Sequence, residues 1–235
     1  MSTVFAAFND ASHVWNDRPF LHVLAETAQH YGITATTLTY GQARTQVETI
    51  AGRYQAAGYG IGHRIGIMLE NRPAVFLHWF ALNKLGASVV PLNPELRPAE
   101  IDYLMQHSGI SLAVGTERHA HLLLAAVDRQ AGSCAVVTDD GDIPPAAAPV
   151  RDHIPDLNTE CALLYTSGTT GKPKGCVLSN DYFLRCGRWY TEIGGLCTLR
   201  PGVERLITAL PMVHVNAMAY STLAMVLTGM RHFRH

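Results

Sequence analysis

One short segment, from Tyr165 to Gly175, carries the residue types that bind phosphate groups. Its sequence, YTSGTTGKPKG, combines three glycines, four short hydroxyl side chains and two lysines. Glycines let backbone N–H groups turn toward an anion, and the hydroxyl and ammonium groups add further donors. The segment therefore predicts a loop that holds the polyphosphate of a nucleotide.

The spacing of this loop differs from that of the phosphate-binding loop of the common NTPases. Pro173 and Cys176 stand where the pattern G-x-x-x-x-G-K-[ST] requires its second glycine. A polar hairpin turn with solvated lysines is the structural alternative for this composition. The apolar runs on either side, Cys161 to Thr166 and Cys176 to Leu178, favour the phosphate loop because they predict two buried strands that flank it.

The elements that must position this loop alternate between helix and strand from Thr39 onward. Predicted helices cover residues 40–57, 74–85, 98–107, 117–129 and 180–190, and predicted strands cover 64–69, 87–91, 111–114, 134–138, 161–166, 176–178 and 205–210. This order indicates an α/β fold with a doubly wound, mostly parallel sheet flanked by helices. Residues 139–155 contain four prolines and three consecutive alanines, which predicts a connector before the strand, phosphate loop and strand of residues 161–178.

Composition limits the classes of function. The chain has 235 residues, 48% of them apolar, and a formal net charge of −1 without a basic stripe. A nucleic-acid partner is therefore not expected. The sequence lacks an amino-terminal leader pattern and a run long enough to span a membrane, so we expect a cytoplasmic protein.

Cysteine and histidine residues can act as metal ligands or as structural groups. Five cysteines, at positions 134, 161, 176, 186 and 197, lack a C-x-x-C pair and lie mostly in or beside apolar runs, which predicts reduced core thiols. His119 and His121 form the closest histidine pair, but no carboxylate or thiol cluster accompanies them at ligand spacing. We therefore interpret them as surface or capping residues and predict no metal site on the protein.

The loop sequence resembles the signature of the adenylate-forming superfamily, which includes acyl-CoA synthetases, nonribosomal-peptide adenylation domains and luciferases. Two further segments, LTYGQARTQVETIAGRYQAAGYGIGHRIGIMLENRP and ALNKLGASVVPLNPELRPAEIDYLMQHSG, are similar to the N-terminal region of acyl-CoA synthetases. His63 departs from this pattern, because the family usually has an acidic residue there, and we interpret it as structural.

This resemblance implies an ATP-dependent acid:CoA ligase that uses Mg²⁺ and coenzyme A and acts on a small-molecule carboxylic acid. The residues that the resemblance assigns to the β- and γ-phosphates are Thr166, Ser167, Gly168, Thr169, Thr170, Gly171 and Lys174. Lys172 is also a candidate for nucleotide binding, with an equal alternative that it points to solvent.

A second segment, Leu210 to Asn216, resembles the family's second signature. The resemblance places His214 between the nucleotide and the acyl pocket, as a candidate catalytic residue, and a histidine that caps the following helix is the structural alternative. Val213, Val215, Met218 and Ala219 either line an acyl tunnel or pack the helix, and we expect packing.

Motifs that the family places further along the sequence do not occur in these residues. We therefore expect a truncated form, residues 1–235 being part of an N-terminal domain with an incomplete second sheet and without the small C-terminal domain. Residues 215–227 would then expose an apolar patch, and the chain alone would not complete the reaction. The alternative function is a noncatalytic nucleotide-binding or regulatory module.

Overall fold

The computed structural model describes residues 2–130, 134–166, 172–208, 210–229 and 231–234. The strands of this part of the chain are β1 (Pro19–Val23), β2 (Thr37–Thr39), β3 (Arg64–Met68), β4 (Ser88–Pro91), β5 (Leu112–Gly115), β6 (Ala135–Thr138), β7 (Glu160–Thr166), β8 (Lys174–Ser179), β9 (Arg205–Thr208) and β10 (Arg231–Arg234). The helices are α1 (Val4–Val14), α2 (Ala25–Tyr31), α3 (Tyr40–Ala56), α4 (Ala74–Lys84), α5 (Pro98–Ser108), α6 (Glu117–Gln130), α7 (Asn180–Glu192) and α8 (Leu223–Thr228). A short 3₁₀ helix covers Gly195–Cys197, and a π-helix, Asn216–Thr222, runs directly into α8.

The strands form two sheets in the described residues. The larger sheet has six strands in the order β6-β5-β3-β4-β7-β8, and every pair is parallel except the antiparallel hairpin of β7 and β8. The smaller sheet has the order β2-β1-β10-β9 and mixes one antiparallel pair with two parallel pairs. The larger sheet confirms the predicted doubly wound α/β fold.

Apolar side chains cover both faces of the six-stranded sheet. One face packs against α1, α3, α4, α7 and α8 through a cluster that includes Phe8, Phe20, Trp79, Phe80 and Phe183. The other face packs against α5 and α6 through a smaller cluster of aliphatic side chains. Because both faces are buried, the central strands consist mostly of aliphatic residues, which is the reason that the sequence predicted them.

Local signals fix where the helices that matter for the site begin and end. The Thr39 hydroxyl accepts from the Gln42 backbone N–H at 3.1 Å, and the Gln42 side chain accepts from the Thr39 backbone N–H at 2.9 Å, which begins α3. Pro98 occupies the first turn of α5, and Gly109 ends that helix with a φ of 64°. Ser179 caps α7 by accepting from the Tyr182 backbone N–H.

The predicted connector has no helix or strand, but it is packed against the end of the sheet where the parallel strands begin. The Ala146 backbone N–H donates to the Ala57 carbonyl at 2.7 Å, and the Arg151 backbone N–H donates to the Ile61 carbonyl at 3.0 Å. His63 is buried, and its Nε2 lies 2.9 Å from the Ala148 carbonyl oxygen. This contact supports a structural role for His63, because the imidazole fastens the connector to the turn before β3.

Two predictions about surface and core are wrong. We expected residues 215–227 to expose an apolar patch, yet Met218, Leu223 and Met225 are buried against α1 and α7. We also expected core thiols, but Cys176 and Cys197 are exposed, and only Cys161 is fully buried. All five cysteines are free, as expected. No helix in the described ranges is long and apolar enough to cross a bilayer.

Candidate functional site

The candidate phosphate loop joins the two strands of the hairpin. Thr166 and Lys174 are opposite partners in the ladder, followed by Tyr165 with Gly175 and Leu163 with Val177. Thr166 and Lys174 are both exposed, so a hydroxyl and an ammonium group face each other across the base of the loop. The other predicted loop residues lie outside the described part of the chain: Ser167, Gly168, Thr169, Thr170 and Gly171.

The two strands of the hairpin differ in burial. Residues Cys161 to Leu164 of β7 are buried between both hydrophobic clusters. In β8, by contrast, Cys176 is exposed and the Val177 side chain is 59% exposed. The prediction of a buried second strand is therefore wrong. Among the described strands, β8 is the last of its sheet and pairs only with β7, so three apolar residues in a row do not signal burial.

Lys172 contacts α5. Its Nζ lies 5.5 Å from the centroid of the Tyr103 ring, while the Tyr103 hydroxyl donates to the Pro173 carbonyl at 3.2 Å. Lys172 is exposed and its ammonium group lies beside this ring, so the structure is compatible with either alternative for Lys172. Of the two lysines, Lys174 is the one that faces Thr166 across the loop.

A pocket of about 290 Å³ lies where strands β3, β4 and β5 end. Parallel strands end at the same edge of a sheet, and open α/β sheets bind their ligands outside this carboxyl edge. The polar side chains that line the pocket include Glu70, Asn71, Asn93, Arg118 and His119, and the second motif contributes Pro211 and Val213. The pocket has a cationic side chain, hydrogen-bond donors and an apolar wall on one side.

Asn71 attaches the second motif to this edge, and sequence reasoning missed it. Its Oδ1 accepts from the Met212 backbone N–H at 2.8 Å, and its Nδ2 donates to the Leu210 carbonyl at 3.5 Å. The strand β3 that precedes Asn71 is two strands from β7, or about 10 Å at the usual spacing between strands. Both motifs thus lie at one edge of the six-stranded sheet. The available signal was an asparagine directly after a predicted strand.

Glu70 is a second residue that sequence reasoning missed. It has a φ of 50°, a backbone conformation that is uncommon outside glycine and is often found at functional sites. Its carboxylate is largely buried, 2.6 Å from Arg72 Nη2 and 3.7 Å from both Arg118 Nη1 and His119 Nδ1. The carboxylate thus gathers three basic side chains at the edge of the pocket.

His119 is not the surface residue that we expect from the sequence, and its hydrogen bond is to a side chain and not to the backbone of a helix end. Its Nδ1 lies 3.1 Å from the Thr116 hydroxyl at the start of α6, but the side chain is only 14% exposed. Burial, opposed by the charge of Glu70, lowers the pKa of His119. The shift disfavours the protonated imidazole, and the neutral ring has one donor and one acceptor nitrogen.

His214 is exposed and follows the turn that begins at Pro211, to whose carbonyl its backbone N–H donates at 2.9 Å. The helix that follows has Val215 as its N-terminal cap, without a side-chain hydrogen bond. The Met218 backbone N–H donates to the His214 carbonyl at 3.0 Å, so His214 contributes its backbone to the start of this helix. Met218 and Ala219 are buried in the core, which agrees with packing, whereas Val213 lines the pocket.

Comparisons with known proteins agree with this architecture. The family model described as AMP-binding enzyme matches residues 10–233. The chain is 34% identical over 205 residues to a feruloyl-CoA synthase from Amycolatopsis sp., covering 86% of this chain and 39% of that protein. It is 28% identical over 223 residues to a sulfoacetate–CoA ligase from Cupriavidus necator, covering 92% of this chain and 41% of that protein.

A solved structure shows the same fold. The inhibitor-bound N-terminal domain of FACL13 from Mycobacterium tuberculosis superimposes with a TM-score of 0.80 at 20% identity, covering all of this chain and 57% of that one. The chain spans about two fifths of the length of the curated relatives named above. The family model matches nearly all of the chain, and the hairpin and the second motif lie at one edge of the sheet. The chain therefore belongs to the AMP-binding enzyme family.

Proposed function

We propose that this chain belongs to an ATP-dependent acid:CoA ligase, in which it binds the nucleotide at the carboxyl edge of the six-stranded sheet. The main support is the position of Thr166 and Lys174, which face each other at the base of the loop in a chain of the AMP-binding enzyme family. Residues 1–235 are proposed as part of the large N-terminal domain, with residues 139–155 as its internal connector.

The proposed reaction has two steps. A carboxylate oxygen attacks the α-phosphorus of ATP, an acyl-adenylate forms, and pyrophosphate leaves. The sulfur of coenzyme A then attacks the acyl carbonyl carbon, a thioester forms, and AMP leaves. The chain's own contribution to the first step is to stabilise the charge on the departing pyrophosphate. Lys174 supplies a positive charge, while Thr166 supplies a hydroxyl donor. The remaining loop residues supply further hydroxyl and backbone donors: Ser167, Gly168, Thr169, Thr170 and Gly171.

The pocket at the carboxyl edge supports binding of the other reactants. Arg118 and Asn93 suit the polar groups of a nucleotide or of coenzyme A, and Val213 offers an apolar surface to an acyl chain. His214 follows this pocket wall, and we propose that it contacts the acyl-adenylate. The relatives named after feruloyl-CoA and sulfoacetate indicate which carboxylic acids to test first.

Mg²⁺ accompanies the nucleotide in this proposal. Across the described ranges, no group of three or more His, Cys, Asp and Glu side chains is arranged to hold a metal ion.

A titration with ATP tests the nucleotide site. The wild-type chain should bind ATP, and Lys174→Met should weaken ATP binding about tenfold or more, because one charge-assisted contact to phosphate contributes about 1.5–3 kcal/mol. Lys84→Met is the matched control, since Lys84 pairs with Glu48 on the surface formed by α3 and α4. An unchanged affinity of Lys174→Met, or no ATP binding by folded wild-type chain, contradicts the proposal.

Exchange of labelled pyrophosphate into ATP then separates the ligase from the noncatalytic alternative. Exchange that depends on ferulate, sulfoacetate or another carboxylic acid supports acyl activation. Binding of ATP without exchange for any acid in the panel is the result expected both of a nucleotide-binding module and of residues 1–235 acting alone, so exchange is the decisive outcome. Circular dichroism of each variant shows that the fold is intact before either result is interpreted.

A further inference from the structure

Helix α5 contacts both ends of the phosphate loop through two residues one turn apart. The Tyr103 hydroxyl donates to the Pro173 carbonyl at 3.2 Å, immediately before β8. His107 Nδ1 lies 2.7 Å from the Tyr165 hydroxyl, near the end of β7. The residues share a helix face because they are four positions apart, and their rings lie 5.2 Å apart. A single rigid helix face thus spans the base of the loop.

The hairpin is shaped to receive this helix face. Tyr165 and Gly175 are opposite partners in the ladder, and a Cβ at position 175 would come within 3.0 Å of Leu163 Cδ1 and 3.3 Å of the Tyr165 ring. The absence of a side chain at Gly175 leaves room for the Tyr165 ring, which lies edge-on to His107 with the centroids 5.7 Å apart. The contact between α5 and β7 therefore depends on a glycine in β8.

Lys172 joins the same cluster. Its Nζ lies 5.5 Å from the centroid of the Tyr103 ring, within the range of cation–π attraction, which contributes about 0.5–1 kcal/mol at an exposed site. Tyr103 therefore makes two contacts with the loop segment, one through its hydroxyl and one through its ring. The exposed strand β8 has few packed side chains of its own. The contacts of Tyr103 therefore restrain the end of the loop that leads into β8, which core packing does not hold.

We propose that Tyr103 and His107 are positioning residues for nucleotide binding, and that Lys172 acts through the Tyr103 ring and not on the phosphates. This proposal rests on the proposed ATP site, and it assigns α5 the task of holding both ends of the loop at the separation that the β- and γ-phosphates require. When the donors are already oriented, binding no longer has to order the loop, and the entropic cost of binding is lower.

The test compares ATP and AMP, because AMP lacks the phosphates that the loop would hold. Tyr103→Leu removes the hydroxyl and the ring, and it should weaken ATP binding about tenfold with AMP affinity unchanged. Tyr103→Phe keeps the ring and should weaken ATP binding about threefold. Gln106→Ala, at an exposed position on the same helix, is the control and should bind ATP as the wild type does.

A double-mutant cycle tests the route by which Lys172 acts. In the wild-type background Lys172→Met should weaken ATP binding about threefold, and in the Tyr103→Leu background it should have no further effect. A direct contact of Lys172 with the phosphates would instead give the same loss in both backgrounds, which overturns the proposal. Thermal melts show whether each variant is folded. If Tyr103→Leu does not fold, the same cycle is measured with Tyr103→Phe.

The outcomes separate this proposal from the ATP site itself. If wild-type chain binds ATP and both Tyr103 variants bind it equally well, the positioning role is wrong and the nucleotide site stands. If ATP and AMP affinities fall together in Tyr103→Leu, the residue supports the fold in general and not the loop, and the proposal is again wrong. If folded wild-type chain ignores ATP, both proposals fail together.

Discussion

The two strands of the hairpin, β7 and β8, each contain a run of apolar residues, Cys161 to Tyr165 and Cys176 to Leu178, but have opposite surroundings in the structure. Leu163 of β7 is 3% exposed, whereas its ladder partner Val177 of β8 is 59% exposed. One end of the candidate phosphate loop is therefore anchored by a packed core, and the other end is held by the ladder and by contacts from α5. Burial here depends on the strand's place in the sheet and not on its composition.

Shortening the two ladder partners, Leu163 and Val177, should give the largest difference in stability between the strands. We expect Leu163→Ala to lower the free energy of unfolding by about 3 kcal/mol, because it removes buried methyl groups and leaves a cavity. Val177→Ala should change it by less than about 0.5 kcal/mol, since that side chain is mostly in water. Urea denaturation of both variants measures the two values. Equal losses would contradict the difference in burial between the strands.

Thiol labelling compares the strands without a substitution. Cys161 in β7 is fully buried and Cys176 in β8 is exposed. Under native conditions we expect iodoacetamide to label Cys176 at least about a hundredfold faster than Cys161, the factor given by an opening free energy of about 3 kcal/mol. Peptide mass spectrometry reads each cysteine separately. Similar rates would show that β7 is not protected in solution, whereas denaturant should bring the rates together.

The difference in pH dependence between the wild type and a variant without the Cys161 thiol should report on the buried strand. Burial raises the pKa of Cys161 from 9.0 to about 12, although Trp79 Nε1–H and the Asn83 amide donate to its sulfur. The folded protein keeps this proton more tightly than the unfolded chain, so the stabilisation is complete below pH 9 and is lost as pH rises toward 12.

Between pH 8 and pH 10, we expect the wild type to lose about 1 kcal/mol more stability than Cys161→Ala, because the variant has no thiol to titrate. Denaturation curves at both pH values give the difference. A loss of equal size in Cys161→Ala would assign the effect to other titrating groups.

The smallest expected effect concerns the first residue of β7. Glu160 accepts from Arg64 Nε at 2.7 Å and from Arg64 Nη2 at 2.9 Å, in a pair that is about one third exposed. Glu160→Gln should lower the free energy of unfolding by about 0.5 kcal/mol in low salt, and less in 1 M NaCl, because solvent and salt screen such pairs.

Glu204→Gln is the matched control, in a more exposed ion pair with Arg200. It should have a smaller effect than Glu160→Gln. A loss at Glu160 that does not change with salt would indicate that packing and not charge holds the start of β7.

Sequence patterns were sufficient where neighbours along the chain decide the structure. The apolar periodicity of α3, the proline at the start of α5 and the aliphatic runs of β3 to β7 predicted these elements to within one or two residues. The segment before Thr39 gave no prediction, because β1 and β2 are short and pair with each other and with β10, which is distant in the chain. The exposure of β8 was missed for the same reason, since only the order of strands makes it the edge.

The candidate site shows the same difference between features set by neighbours along the chain and features set by distant contacts. The position of Thr166 and Lys174 at the loop could be predicted from glycine, hydroxyl and lysine residues in one short segment. The roles of Asn71, Glu70 and Tyr103 could not, because each depends on a contact across the fold. Asn71 reaches a backbone segment 141 positions away, and Tyr103 reaches one 70 positions away.

The attachment of the second motif by Asn71 has a mechanical consequence. A side-chain amide, and not a backbone ladder, ties residues 210–212 to the six-stranded sheet. Release of this segment breaks the two Asn71 hydrogen bonds and also takes the Met212 side chain, which is 1% exposed, out of the core. The wall that the second motif gives to the pocket is therefore held by the Asn71 side chain together with the buried Met212.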